Sequence, residues 1–310
     1  MLSLASPTRP TPPADAAAAA PQTVHWLGMR LELPGDWAIV RHSVDTAKGR
    51  LAVVDRDAQR LLLTWCPMPQ EPDWARHFSD QQALELEEHP DALFVDLPAE
   101  LQPWRGFVRV SARRQVYRAA LLDEPRRRMV EAVIPARDDD QARHAAELLA
   151  HFAVTTPDAG KTDRFRAFDL DVTAPAEWEL QRVLVTLGRV EVRYGRGRSQ
   201  AIVRRLGMAA SWYNGDAAAL ARYTAKDTAG REEPLTHPDG PGVMVIGHEK
   251  VKRIVTFTGR RRRQLDAVWH DRAANAVVHV TVLTPRRDDA SPHDFQVHAI
   301  DPYDPAEALA

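Results

Sequence analysis

Apolar and polar side chains alternate along this chain in blocks, and the blocks come in the same order twice. Over 24–33 the apolar positions Met29, Leu31 and Leu33 repeat every second residue, which predicts one strand. Pro34-Gly35 breaks it, and Trp37-Ala38-Ile39-Val40 resumes an extended segment. Apolar runs at 50–54 and 60–66, separated by Asp55-Arg56-Asp57, complete an antiparallel meander. The period then lengthens to that of a helix over 72–88, where Pro72 suits a first turn and Trp74, Phe78 and Gln81 to Leu84 give helical spacing. Strands return at 104–111, 116–122 and 129–134, the last two joined by Asp123-Glu124-Pro125-Arg126. A closing helix over 138–152 carries an Ala142, Ala145, Leu148, Leu149, Phe152 stripe, with Asp138 to Asp140 as cap and first-turn carboxylates.

The second half repeats the order. Strands are predicted at 165–172, 180–187, 190–194 and 200–206, then a helix over 216–226, then strands at 242–246, 253–257, 264–269 and 276–282. The closing helix is short or missing at 285–294. Leu31-Glu32-Leu33-Pro34-Gly35-Asp36-Trp37 has a looser echo in Leu170-Asp171-Val172-Thr173-Ala174-Pro175-Ala176-Glu177-Trp178. The two tryptophans lie about 140 residues apart, one ordinary domain length, and mark equivalent core anchors. The expected architecture is α+β: two tandem domains, 24–154 and 164–300, each an antiparallel sheet with helices packed on it. A linker covers 155–163, an Ala/Pro-rich tail reads as disordered over 1–23, and an acidic tail covers 301–310.

The motif Leu31 to Trp37, followed by hairpins, one helix, more strands and a terminal helix, resembles the Mog1/PsbP-like fold, the group that includes DcrB-type and DUF1795-type bacterial proteins. Only the Pro-x-x-Trp segment is specific. The resemblance implies accessory, assembly or chaperone proteins without catalysis, among them cytoplasmic dimers that cradle apolar helices. A tandem chain would be such a dimer fused into one, hence a monomeric pseudo-dimer. No family binding residue carries over, because no binding motif matches.

Composition adds little to fold class but narrows function. The single cysteine, Cys66, excludes an internal disulfide and a CxxC-type metal site. No apolar run is long enough to span a membrane, and the N-terminus lacks a signal-peptide core, so a cytoplasmic location is expected. Twelve histidines form no HxH or HExxH; His144 and His151 are two helical turns apart, whereas His270 and His279 flank a hairpin. No Gly-x-Ser-x-Gly or phosphate loop is present. Asp55/Asp57 and Asp169/Asp171 read as solvated pairs, and Cys66 reads as an inert thiol beside Trp65. No catalytic, metal or cofactor site is expected.

Charge is the one feature with an edge. The chain carries a net −2, but basic residues dominate 161–263. Arg193, Arg196, Arg198, Arg204 and Arg205 lie on neighbouring strands, and Arg260, Arg261, Arg262 and Arg263 form a tetra-arginine turn. Converging, they would hold phosphates or an acidic protein; dispersed, they are a solvated surface. The expected function is therefore a non-enzymatic protein-binding module, chaperone- or assembly-factor-like. The alternatives are binding of nucleic acid or an acidic partner through the arginines, and an enzyme with a dispersed site.

Overall fold

The computed structural model describes residues 20–111, 114–155, 162–213, 216, 219–220, 222, 228–237, 240–249, 262–285 and 288–298. It is α+β and mostly sheet, with three antiparallel sheets. The predicted strand at 24–33 is a hairpin: β1 (Gln22–Trp26) and β2 (Met29–Leu33) flank a two-residue turn. Leu27 and Gly28 both have positive φ, at 51° and 74°, the mirror-image turn that matches strand twist. The φ of 74° at Gly28 favours glycine there, and the Arg126 guanidinium packs into the space that a Cβ would take. The predicted strand at 165–172 is corrected in the same way. It is the hairpin β11 (Thr162–Ala167) and β12 (Leu170–Pro175), turning at Phe168 and Asp169 with φ of 55° and 58°. Alternation survives across a two-residue turn, so the period concealed both reversals.

The remaining first-half strands are β3 (Ala38–His42), β4 (Gly49–Val54), β5 (Gln59–Pro67), β6 (Leu93–Asp96), β7 (Arg105–Ser111), β8 (Arg114–Asp123), β9 (Arg128–Ala136) and β10 (Ala153–Val154). The second half continues with β13 (Glu179–Thr186), β14 (Arg189–Arg196), β15 (Ser199–Leu206), β16 (Thr228–His237), β17 (Gly240–Glu249), β18 (Arg263–Asp271), β19 (Ala276–Thr284) and β20 (Gln296–His298). One seven-stranded sheet runs β3-β4-β5-β9-β8-β7-β6, and the other runs β13-β14-β15-β19-β18-β17-β16, the same order displaced by one repeat. The third sheet has six strands, β10-β2-β1-β11-β12-β20, and reads the same from either end. Its middle pair, β1 and β11, is antiparallel with His25 opposite Arg166, as an internal two-fold requires. The repeats therefore share a sheet.

The Pro-x-x-Trp segments close identical turns. Trp37 N donates to Pro34 O at 3.0 Å, and Trp178 N donates to Pro175 O at 2.9 Å. Trp178 is fully buried, whereas Trp37 is only half-buried against the same core.

One core joins the halves. Trp26, Met29 and Leu31 from the first hairpin and Phe165, Leu170 and Val172 from the second pack with the inner faces of both seven-stranded sheets. Trp26 is wholly buried, sits 5.5 Å from the Phe165 ring, and donates from Nε1 to Ser43 O. Arg128, also wholly buried, ties the β8–β9 turn to the central sheet. Its Nε donates to Asp123 at 2.8 Å and its Nη2 to Leu27 O at 2.7 Å.

Helices are few. α1 (Trp74–Glu88) starts later than Pro72 suggested, because Asp73 is the cap and accepts from Arg76 N. Within that spacing Leu84 is 62% exposed, and the buried residue is Glu85, drawn onto the sheet by Arg109 and Arg118. α2 (Asp139–His151) matches its prediction, with Asp138 capping Gln141 N and Ala145, Leu148 and Leu149 buried. In the second half Leu220 N donates to Asp216 O in helical fashion; most of 216–226 and the strand at 253–257 lie outside the described residues, as do both tails for the most part and most of the linker. At 285–294 a single turn, Pro292–Asp294, stands where α2 does in the first half.

Replacing Trp26 with Ala is expected to cost roughly 3–5 kcal/mol, the range for a large buried aromatic. Urea denaturation should show one cooperative transition moved to lower denaturant. Two separated transitions would mean that the halves do not share their core.

Candidate functional site

Each seven-stranded sheet has an apolar inner face and a polar outer face, because residues alternate. On the outer face of the second sheet, Glu191 of β14 is 1% exposed and receives three guanidinium groups. Arg193 Nε donates to it at 2.6 Å, Arg204 Nε at 2.9 Å, and Arg189 closes the third contact. Burial pushes this carboxyl up, but the hydrogen bonds from Arg204, Arg189 and Arg193 together outweigh it and hold the group at about 2.

The network continues across β15, β19 and β18. Arg204 Nη1 lies 3.2 Å from His279 Nδ1 and donates to Thr281 Oγ1 at 3.1 Å. A guanidinium has no acceptor, so Nδ1 accepts and the ring proton sits on Nε2, which donates to Asp266 at 2.8 Å. Thr281 Oγ1 donates to Asp266 at 2.7 Å and Gln264 Nε2 donates to it at 2.9 Å. Burial lowers the pKa of His279 more than the Asp266 hydrogen bond raises it, so the imidazole is neutral.

The His–Asp pair has the form of a catalytic dyad but lacks its access. His279 is 2% and Asp266 0% exposed, and each polar atom of the imidazole already has a protein partner. The arrangement holds strands together; it presents no group to a substrate.

Among the described residues, the sequence-predicted arginines are not gathered into one surface. Arg193 and Arg204 serve Glu191. Arg196 binds Glu177 at 3.1 Å and Asp288 at 2.5 Å while lying 4.8 Å over the Trp178 ring. Arg205 donates to Ala274 O at 3.3 Å, beside a cleft of about 450 Å³ between the central sheet and the β18–β19 turn. Arg198 and Arg262 are exposed, Arg263 opens β18, and Arg260 and Arg261 lie outside the described residues. Arginine density reflects buried carboxylates at least as much as a binding face.

Other candidates resolve similarly. Asp171, expected to be solvated, is 1% exposed and takes Arg164 in a two-pronged contact at 2.9 and 2.7 Å, because β12 is an interior strand of the shared sheet. Cys66 is half-buried, and burial and the Glu131 charge push its thiol up, away from the reactive thiolate. His270 packs on Tyr213 at 4.8 Å and does not join His279. No group of three or more metal-ligating side chains occurs among the described residues. Sequence reading missed the Asp266–His279 network, though polar residues at alternate positions of two apolar strands (Gln264, Asp266; His279, Thr281) were its signal.

No family model matches the chain, and neither does any curated protein.

Glu191 gives a pH test. Its folded pKa lies below the unfolded value, so its stabilisation is complete above about pH 4.5 and lost as pH falls towards 2, on the order of 3 kcal/mol. Glu191→Gln should lower denaturant midpoints at pH 7 and flatten that acid limb relative to the parent. An acid limb of undiminished slope between pH 4.5 and 2 would refute the assignment.

Proposed function

We propose that this chain is a non-enzymatic protein-binding module, chaperone- or assembly-factor-like, built from two tandem Mog1/PsbP-like domains that stand as a pseudo-dimer within a monomer. The observation that carries the reading is the free edge of the first seven-stranded sheet. β6 is the end strand and, among the described residues, pairs only with β7. Leu93 and Val95, on one face of β6, are 68% and 55% exposed, and Leu84 and Leu86 at the end of α1 are exposed as well. Natural proteins shorten or charge such edges, because an apolar edge is a template for another strand.

The fitting occupant is an extended, apolar and cationic segment of another protein, added to β6 by main-chain pairing. Glu87, Glu88, Asp91 and Asp96 are exposed around the edge and make no ion pair among the described residues. They supply a negative rim for lysine or arginine in that segment. The matching strand order of the two repeats supports the tandem reading. The buried, self-satisfied Asp266–His279 pair favours binding over catalysis. No helix among the described residues is long and apolar enough to cross a membrane.

A fluorescent peptide alternating Val and Lys should bind the full chain more tightly than one alternating Val and Glu. Leu93→Lys/Val95→Lys should weaken the Val-Lys peptide by about tenfold or more, the loss of one to two kcal/mol at a strand-addition site. Equal affinity for both peptides, or binding untouched by the double variant, would remove the reading.

A further inference from the structure

A second opening lies on the first repeat, away from β6, where the outer face of its sheet runs out from under α1. Arg109 of β7 stands opposite Val116 of β8, and Val116 stands opposite Pro135 of β9. Arg60, two residues before Leu62, which pairs with Val133, extends the row on β5. Together with Arg114 and Arg137 these residues line a cleft of about 230 Å³ that contains four arginines and no acidic side chain.

Three of the carboxylates nearby have partners. Asp55 binds Arg60, Glu85 is shared by Arg109 and Arg118, and Asp138 caps α2. Arg114 and Arg137 are exposed, and their guanidinium groups make no hydrogen bond or ion pair among the described residues. Arg109 is 8% exposed, and its Nη1 is a buried donor that meets no acceptor. A buried guanidinium nitrogen left unmatched is costly unless an acceptor arrives from outside.

The internal repeat supplies a control for what the fold itself needs. In the second sheet the equivalent row is Gly247, Gln264, Leu283 and Gln200, fixed by the pairs Gly247–Gln264, Gln264–Leu283 and Gln200–Leu283. Glycine takes the place of Arg109 and glutamine that of Arg60. The same topology therefore forms without the arginines: Arg60 and Arg109 answer to Asp55 and Glu85, whereas Arg114 and Arg137 have no such carboxylate among the described residues.

We infer that this cleft binds a small phosphoryl compound, with its terminal oxygens held by Arg109, Arg114 and Arg137 and its body resting on Val116 and Pro135. A phosphoryl group offers several acceptors to converging forked donors, where a single carboxylate offers two. The cleft is below the usual range for drug-sized ligands, which suits a phosphate bearing a small organic body.

Inorganic phosphate is the probe. Calorimetric titration of the full chain at low ionic strength should give saturable binding that weakens as salt rises. Arg114→Gln/Arg137→Gln changes two exposed residues, so the variant should unfold at the parent temperature without phosphate. It should bind phosphate at least about tenfold more weakly, the effect of removing charge-assisted hydrogen bonds. Arg109→Gln should weaken binding too, but it also strips a partner from Glu85, so the exposed pair is the decisive variant. Citrate, a polycarboxylate, should bind more weakly than phosphate. Absence of saturable heat, a double variant that binds as the parent does, or tighter binding of citrate would each overturn the assignment.

Discussion

The shared six-stranded sheet is the constraint on which the rest of the molecule depends. A hairpin as short as β1–β2 is marginal in water by itself, because it has little partner surface on which to bury an apolar face. Pairing β1 with β11 doubles the platform and gives both seven-stranded sheets somewhere to bury their inner faces. It also fixes how the repeats are related. Antiparallel pairing at the centre of a palindromic strand order leaves a two-fold arrangement as the natural one, as in an isologous dimer. Arg128 locks this platform to the first sheet by combining a buried ion pair with a hydrogen bond to the Leu27 carbonyl in the β1–β2 turn.

The outer faces show one backbone problem solved with different chemistry. In the first repeat Thr64 stands opposite Glu131, and α1 lays Gln81 onto Glu131 and Glu85 onto Arg109 and Arg118. At the matching ladder position of the second repeat Arg204 stands opposite His279, and Glu191, Asp266 and Thr281 complete the set. Each buried charge meets an opposite charge or a hydrogen-bond partner, as burial demands. Interior carboxylates in this protein are held by arginine, whose fork satisfies several acceptors at once. This accounts for Arg189, Arg193, Arg196 and Arg204 of the basic stretch in the second half.

The apolar edge β6 and the arginine-lined cleft both lie on the first repeat. Its edge strand β6 is apolar and rimmed by acid, whereas the other end of its outer face is basic and partly roofless. At the corresponding edge of the second sheet stands β16, a ten-residue strand with charged residues and Pro234, the kind of edge that resists further pairing. The two repeats thus keep one strand order and differ in their edge strands and in the lining of this cleft.

Alternation and breakers in the sequence determined the strand meanders, the capped helix α2 and the recurrence of the strand blocks, since each is written in neighbouring residues. The same local information concealed the turns at Leu27-Gly28 and Phe168-Asp169, because a two-residue reversal preserves the period. It also missed short or polar strands such as β6 and β16, which exist only because a neighbour pairs with them. Tertiary structure alone decided that Glu85 is buried while Leu84 is exposed, that Asp171 lies inside, and that Arg193 and Arg204 meet around Glu191. It alone assembled Arg60, Arg109, Arg114 and Arg137 along one cleft. Those residues lie on different strands, and strand register, which a linear pattern does not encode, sets which of them become neighbours.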